Sequence, residues 1–99
     1  MPLATASLNG TTLAETDTWE TVEGNIYFPP ESIKDKSLFV PSDMTTYCPW
    51  KGDASYYNVV IGDKKIRDAA WYYARPYDAA IKIKNHIAFC GYSFQHALS

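Results

Sequence analysis

The chain has 99 residues with nine Lys plus Arg against eleven Asp plus Glu, a formal net charge of −2. No overall field therefore draws it to a phosphate backbone or an anionic membrane surface, and neither nucleic acid nor membrane is expected as a partner. Its length is near the commonest domain size and buries a core without staples, which predicts one domain over 1–99 with a core from about 5 to 94.

Other classes are set aside by the same reading. No stretch approaches the roughly 18 apolar residues of a membrane span, and the start lacks a basic region followed by an apolar run, so a cytoplasmic location is expected. Nothing signals secretion, so Cys48 and Cys90 are expected as free thiols; they form no Cys-x-x-Cys pair and only His86 and His96 could join them, so no structural zinc is expected, and no cofactor. Eight Tyr, three Trp and four Phe are many for this length and suit strands and binding faces.

In chain order, short β-type runs alternate with turn signals. The pattern predicts a mainly β protein of two small antiparallel sheets, tent-like or an open barrel, with one or two short helices. Asn9-Gly10 joins Thr5-to-Leu8 to Thr11-to-Glu15 as a type I′ hairpin. Trp19-to-Val22 and Asn25-to-Phe28 flank Glu23-Gly24, giving a second hairpin or one strand bent by a bulge. Pro30 to Lys36 suits a single helical turn. Gly62-Asp63 joins Ser55-to-Ile61 to Lys64-to-Tyr73 with the leading glycine of a II′ turn. Tyr77 to Lys82 suits a short helix ended near Asn85, and His86-to-Cys90 with Tyr92-to-Phe94 reads as the last strand, kinked at Gly91. His96 is expected on a frayed terminus.

A two-residue turn at Gly62-Asp63 pairs Ile61 with Lys64, Val59 with Ile66, Tyr57 with Asp68 and Tyr56 with Ala69. Because opposed residues share a face, Ile61, Val59, Tyr57, Ile66, Ala70 and Tyr72 form the better core face. The other carries Val60, Asn58, Tyr56, Ala54, Arg67, Ala69, Trp71 and Tyr73. Large rings around small alanines leave a recess there, although the same residues could pack as a second core.

Thr46-Tyr47-Cys48-Pro49-Trp50-Lys51-Gly52 gathers a thiol, an ammonium and a large ring into one turn. Pro49 keeps Cys48 extended and Gly52 permits a sharp reversal. Lys51 could lower the pKa of Cys48 or hold an anionic group, Trp50 or Tyr56 could stack on a planar one, and Thr46 could donate a hydrogen bond. Cys48 could equally be a small buried hydrophobe and Lys51 a solvated turn residue. A nucleophilic Cys48 would want a base, and His86 and His96 are the only imidazoles.

These motifs, together with Tyr27-Phe28-Pro29 and Glu31, Ser42, Ala54-Ser55-Tyr56-Tyr57, Ala69 to Tyr73 with Pro76, and Ile87-Ala88-Phe89, resemble a family of small bacterial and fungal proteins known as a domain of unknown function. Some members carry a nucleotidyltransferase label. The resemblance covers nearly the whole chain and implies a compact, mostly β domain of two antiparallel sheets, similar to tent-like folds of small zinc-binding proteins. The chain itself has no Asp-x-Asp or Glu-x-Glu pair and no Gly-rich phosphate loop, the features nucleotide transfer uses to hold its metals and phosphates.

The expected function is binding of a small planar or anionic ligand in a recess of Cys48, Trp50, Lys51, Tyr56, Trp71 and Tyr73, with Thr46 and Arg67 as further ligand-binding residues. The alternatives are a cysteine-dependent or general acid-base enzyme using Cys48 and Lys51, and a protein-interaction module or homodimer that uses exposed rings and uncovered strand edges.

Overall fold

A computed structural model describes residues 2–91 and 95–98. It contains nine strands: β1 (Ala4–Leu8), β2 (Thr11–Thr16), β3 (Glu20–Val22), β4 (Asn25–Tyr27), β5 (Phe39–Cys48), β6 (Gly52–Ile61), β7 (Lys64–Tyr72), β8 (Ala88–Phe89) and β9 (Gln95–Leu98). They form three antiparallel sheets, β2-β1-β9, β3-β4 and β5-β6-β7-β8. The mainly β expectation holds, with three small sheets instead of two and no closed barrel. The extra sheet arises because, among the described residues, the backbone pairing that leads from the β3–β4 hairpin toward the four-stranded sheet is an isolated bridge, the paired hydrogen bonds between Phe28 and Ile87, both 2.8 Å.

Turn chemistry explains the hairpins. Asn9 and Gly10 have φ of 50° and 83°, and Glu23 and Gly24 have 54° and 80°, the two positive angles of a type I′ turn. The second site is therefore a tight hairpin, not a bent strand. Gly62 alone is positive at the third turn, as the II′ reading requires. The two expected helical turns are 3-10, Pro30–Ser32 and Asp78–Ile83, and a further 3-10 turn that was not expected lies at Lys36–Leu38.

Two strands were not expected from the pattern. β5 is an edge strand whose Pro41 is tolerated because an edge needs fewer ladder hydrogen bonds. β9 pairs with β1, placing His96 opposite Ala6 with its ring stacked on Phe28 at 6.4 Å, so His96 is anchored and not frayed. Burial there lowers its pKa. The last strand shortens to Ala88–Phe89, and Tyr92-to-Phe94 lies outside the described residues.

The central hairpin starts in the expected register, with Ile61 opposite Lys64 and Val59 opposite Ile66. It then slips by two, pairing Tyr57 with Ala70 and Tyr56 with Trp71 instead of Asp68 and Ala69. Side chains alternate with a period of two, so an even slip preserves the faces on either side of it. Val59 and Ala70 join the first core with Ala4, Ala6, Leu13, Phe28 and Phe89, flanked by Tyr57, Ile66 and Tyr72. Ala54 and Tyr73 join a second core with Val22, Tyr27, Ala80, Ile83 and Ala88, flanked by Tyr56 and Trp71. Ala69 is the exception: it sits within the irregular stretch and is buried in the first core, opposite to the face expected. The larger sheet is thus covered on both faces at the Tyr73 end.

Candidate functional site

The Pro49–Lys51 loop closes the β5–β6 hairpin, pairing Cys48 with Gly52. Gly52 has φ of 107°, and a Cβ there would stand 3.3 Å from the Arg75 carbonyl oxygen, so both backbone angle and space demand glycine. The Tyr77 N–H donates to the Lys51 carbonyl at 2.9 Å, and the Tyr47 and Tyr77 hydroxyls meet at 3.3 Å. These contacts bind the loop to the 75–77 segment.

Lys51 points inward. It is only 7% exposed, and its ammonium donates to Glu23 Oε1 while lying 5.4 Å from the ring centroids of both Trp50 and Tyr73. Burial works against the charge, but the Glu23 hydrogen bond and the nearby Tyr27 and Tyr73 phenols outweigh it and raise the lysine pKa. The Lys51 hydrogen bond in turn lowers the pKa of Glu23. Desolvation raises the Tyr73 pKa, with the Lys51 charge opposing it. The ion pair joins the β3–β4 turn to the signature loop. Beneath it, Trp71 Nε1 donates to the Tyr27 hydroxyl at 3.1 Å, and their rings meet edge-on at 6.5 Å.

The residues expected to line a recess are therefore distributed unequally. Lys51 and Tyr73 are buried, Cys48, Tyr56 and Trp71 are half-buried, and Trp50, Thr46 and Arg67 are exposed. Thr46 Oγ1 and the Tyr56 hydroxyl share a hydrogen bond of 3.0 Å, and the Tyr56 and Trp71 rings lie 6.4 Å apart. Lys51, Tyr73 and Trp71 act together as packing around a neutralised charge. Both thiols are free, and neither imidazole is hydrogen-bonded to Cys48: His86 Nδ1 faces the Lys84 carbonyl at 3.0 Å, and the His96 ring lies against Phe28 and Phe89.

Three clefts open elsewhere. The first, about 320 Å³, lies on the other face of the hairpin between the 3-10 turns and the sheet, lined by Pro30, Ile33, Lys36, Phe39, Tyr57, Tyr72, Asn85 and Ile87. Tyr57 and Tyr72 stack in its wall, centroids 4.9 Å apart and planes 21° apart, with Phe39 edge-on to Tyr57 at 5.9 Å. Burial, then the neighbouring Tyr72 phenol, raises the Tyr57 pKa. The second, about 490 Å³, is polar and lies by Ser42, Asn58, Lys65, Arg67 and Asp68; of its walls only Arg67 was among the expected binding residues. The third, about 190 Å³, lies between Asn25, Ile26, Phe89 and His96.

Sequence reasoning missed the first cleft because Tyr57 and Tyr72 read as core and Pro30 to Lys36 as a lone helical turn, and the second because a regular register hides the slip. A signal for the second existed: Ser42-Asp43 and Arg67-Asp68 interrupt otherwise strand-like runs with polar pairs.

Comparison with protein families adds the context for this geometry. A family model described as "Domain of unknown function (DUF427)" matches residues 4–98. The chain belongs to this family. A search of curated proteins finds no significant match. The DUF427 model carries a nucleotidyltransferase name, yet among the described residues no group of three or more His, Cys, Asp or Glu side chains comes together to hold a metal ion. That donor set does not fit two-metal phosphoryl chemistry. Among the described residues, no helix is long and apolar enough to cross a membrane.

Proposed function

We propose that this DUF427 domain binds a small planar ligand bearing an anionic group, in the cleft walled by Tyr57 and Tyr72. One observation carries the reading: a stacked pair of tyrosine rings faces an opening of about 320 Å³ whose other walls are mostly apolar. Such a volume, apolar lining and few polar groups are the usual makings of a small-ligand site. A flat ring can lie along the tyrosines or between them and Ile33 or Ile87, while Lys36, which makes no ion pair among the described residues, supplies an ammonium for a carboxylate or phosphate. Asn85 adds an amide. The ligand class matches the one expected for the Lys51 recess, but the charge of Lys51 is already met by Glu23 and that of Lys36 is not.

The test is a thermal-shift series with 4-hydroxybenzoate, indole-3-acetate and adenosine monophosphate on wild type, Tyr72→Ala and Lys36→Ala. A ligand at about a hundred times its Kd stabilises the native state by about 2.7 kcal/mol, which a melt resolves easily. Wild type should shift, Tyr72→Ala should not, and Lys36→Ala should require about tenfold more ligand. A shift kept intact by Tyr72→Ala, or no shift with any of the three, removes this cleft as the site.

A further inference from the structure

Strand β6 is flanked by two irregularities that adjoin at Tyr57. On β5 the pairing jumps from Pro41 opposite Tyr57 to Thr45 opposite Ser55, and on β7 it jumps from Ile66 opposite Val59 to Ala70 opposite Tyr57. Each neighbour of β6 thus carries two residues more than β6 itself. The two bulges are joined. The Ser42 hydroxyl donates to Asp68 Oδ1 and accepts from the Met44 N–H at 3.1 Å, while the Asp68 N–H donates to Asn58 Oδ1 at 2.8 Å. Asp68 has φ of 51°, a left-handed angle that costs a non-glycine residue energy and persists only where its surroundings impose it. Bulges re-aim side chains, and two that adjoin on neighbouring strands turn several toward one place.

What they surround is the cleft of about 490 Å³, and its charges are balanced: Lys65 and Arg67 against Asp43 and Asp68. Among the described residues none of the four forms an ion pair. Opposite charges that line one cleft without pairing have their interaction left over for a third body. A site for a simple anion would show an excess of cations, and a site for a simple cation the reverse. Asn58 is oriented too, because Oδ1 takes the Asp68 N–H and leaves the two Nδ2 donors for a ligand.

From this we infer that the paired-bulge cleft binds a small zwitterion, a free α-amino acid or a molecule of the same charge pattern. Its carboxylate is held by Arg67, which can bond both oxygens, and by Lys65; its ammonium meets Asp43 and the Asp68 oxygen not taken by Ser42. Asn58 lies on the face of β6 opposite to Tyr57, so this site and the tyrosine cleft stand or fall separately.

The experiment is an amide-resolved NMR titration of the 99-residue chain with glycine, N-acetylglycine and glycinamide, which carry both charges, only the negative and only the positive one. Glycine should move the Asn58 side-chain amide and the Asp68 N–H saturably, with each modified form at least about tenfold weaker. Arg67→Ala and Asp43→Asn, both at exposed positions and checked as folded by their spectra, should each weaken glycine by about tenfold. The inference is overturned if glycine gives no saturable shift by about 50 mM. It is likewise overturned if either singly charged form binds as tightly as glycine, or if both variants bind glycine as wild type does.

Discussion

The two ends of one sheet face treat charge in opposite ways. At the Lys51 end a buried ammonium is paired with Glu23 and sheathed by Trp50 and Tyr73, with the loop backbone tied down by Tyr77. At the paired-bulge end Asp43, Lys65 and Arg67 form no ion pair among the described residues and border an open cleft. A charge that is already satisfied and covered has little left to offer a ligand, whereas an unpaired one in a concave setting does. Conspicuous residues of the sequence, Lys51, Trp50 and Tyr73, thus meet one another and Glu23, while the charges left without an ion pair among the described residues include less conspicuous ones.

The largest effect that this contrast predicts is at Lys51. Replacing it by Ala removes two ring contacts and the tie to the β3–β4 turn, and leaves a gap in the second core. Severing a fully buried pair costs about 3–5 kcal/mol, and because Glu23 is half-exposed and regains water, about 2–3 kcal/mol is expected for Lys51→Ala. Urea denaturation measures it; a loss below about 0.5 kcal/mol would mean that the lysine is a surface residue in solution and the two ends are alike.

A second prediction sharpens the account of the loop. Gly52→Ala must accept both a positive φ and a Cβ 3.3 Å from the Arg75 oxygen, whereas Gly10→Ala has the same sign of φ but nothing within 4 Å. Strain alone should cost about 1 kcal/mol at Gly10, with about 1 kcal/mol more at Gly52 from the crowding. Equal losses in chemical melts would show that the 75–77 segment yields freely and does not hold the loop.

The legibility of these regions follows from the range of the interactions that build them. The turns at Asn9-Gly10 and Gly62-Asp63 are readable because these pairs act on their own backbone, whereas Glu23-Gly24 suits a hairpin or a bulge alike until its two positive φ angles decide for the hairpin. The sorting of Tyr57 from Tyr56 also survived, since a slip of two residues leaves alternation intact. Strand β5 was hidden by Pro41 and by its bulge, which breaks the alternation that marks a strand. The Lys51–Glu23 pair spans 28 positions and the Ser42–Asp68 bond 26, and nothing local to either residue announces its partner. Tyr57 and Tyr72 were rightly read as core-facing, but whether that face is fully covered depends on how the 30–38 segment lies across it, which no pattern within the hairpin encodes.

The ion pair also predicts a pH signature. The Glu23 pKa falls below its ordinary 4.5 in the fold, so its stabilisation is present above that value and fades as pH drops through the lowered one. The Lys51 pKa rises above its ordinary 10.5, so its part is present below that value and fades as pH climbs through the raised one. Wild type should therefore melt above Glu23→Gln throughout pH 4.5–10.5, with the gap closing in more acidic solution. The gap is expected to be modest because water and salt reach Glu23. A gap unchanged at pH 2 would place the stabilisation in the shape of the side chain and not its charge.

The smallest expected effect tests the other end. Arg67 is exposed, makes no ion pair among the described residues and lies within the irregular stretch of β7 without taking part in the Ser42–Asp68–Asn58 hydrogen bonds that hold it. Its removal takes away one solvated cation near two carboxylates, so Arg67→Ala should change stability by no more than about 0.5 kcal/mol. Measured beside Lys51→Ala in the same urea titrations, this near-zero value would set a structural cation against one left free for a ligand. A loss above about 1 kcal/mol would instead make the guanidinium part of the scaffold of the bulge. The contrast between the ends would then collapse, because both would hold their charges for folding.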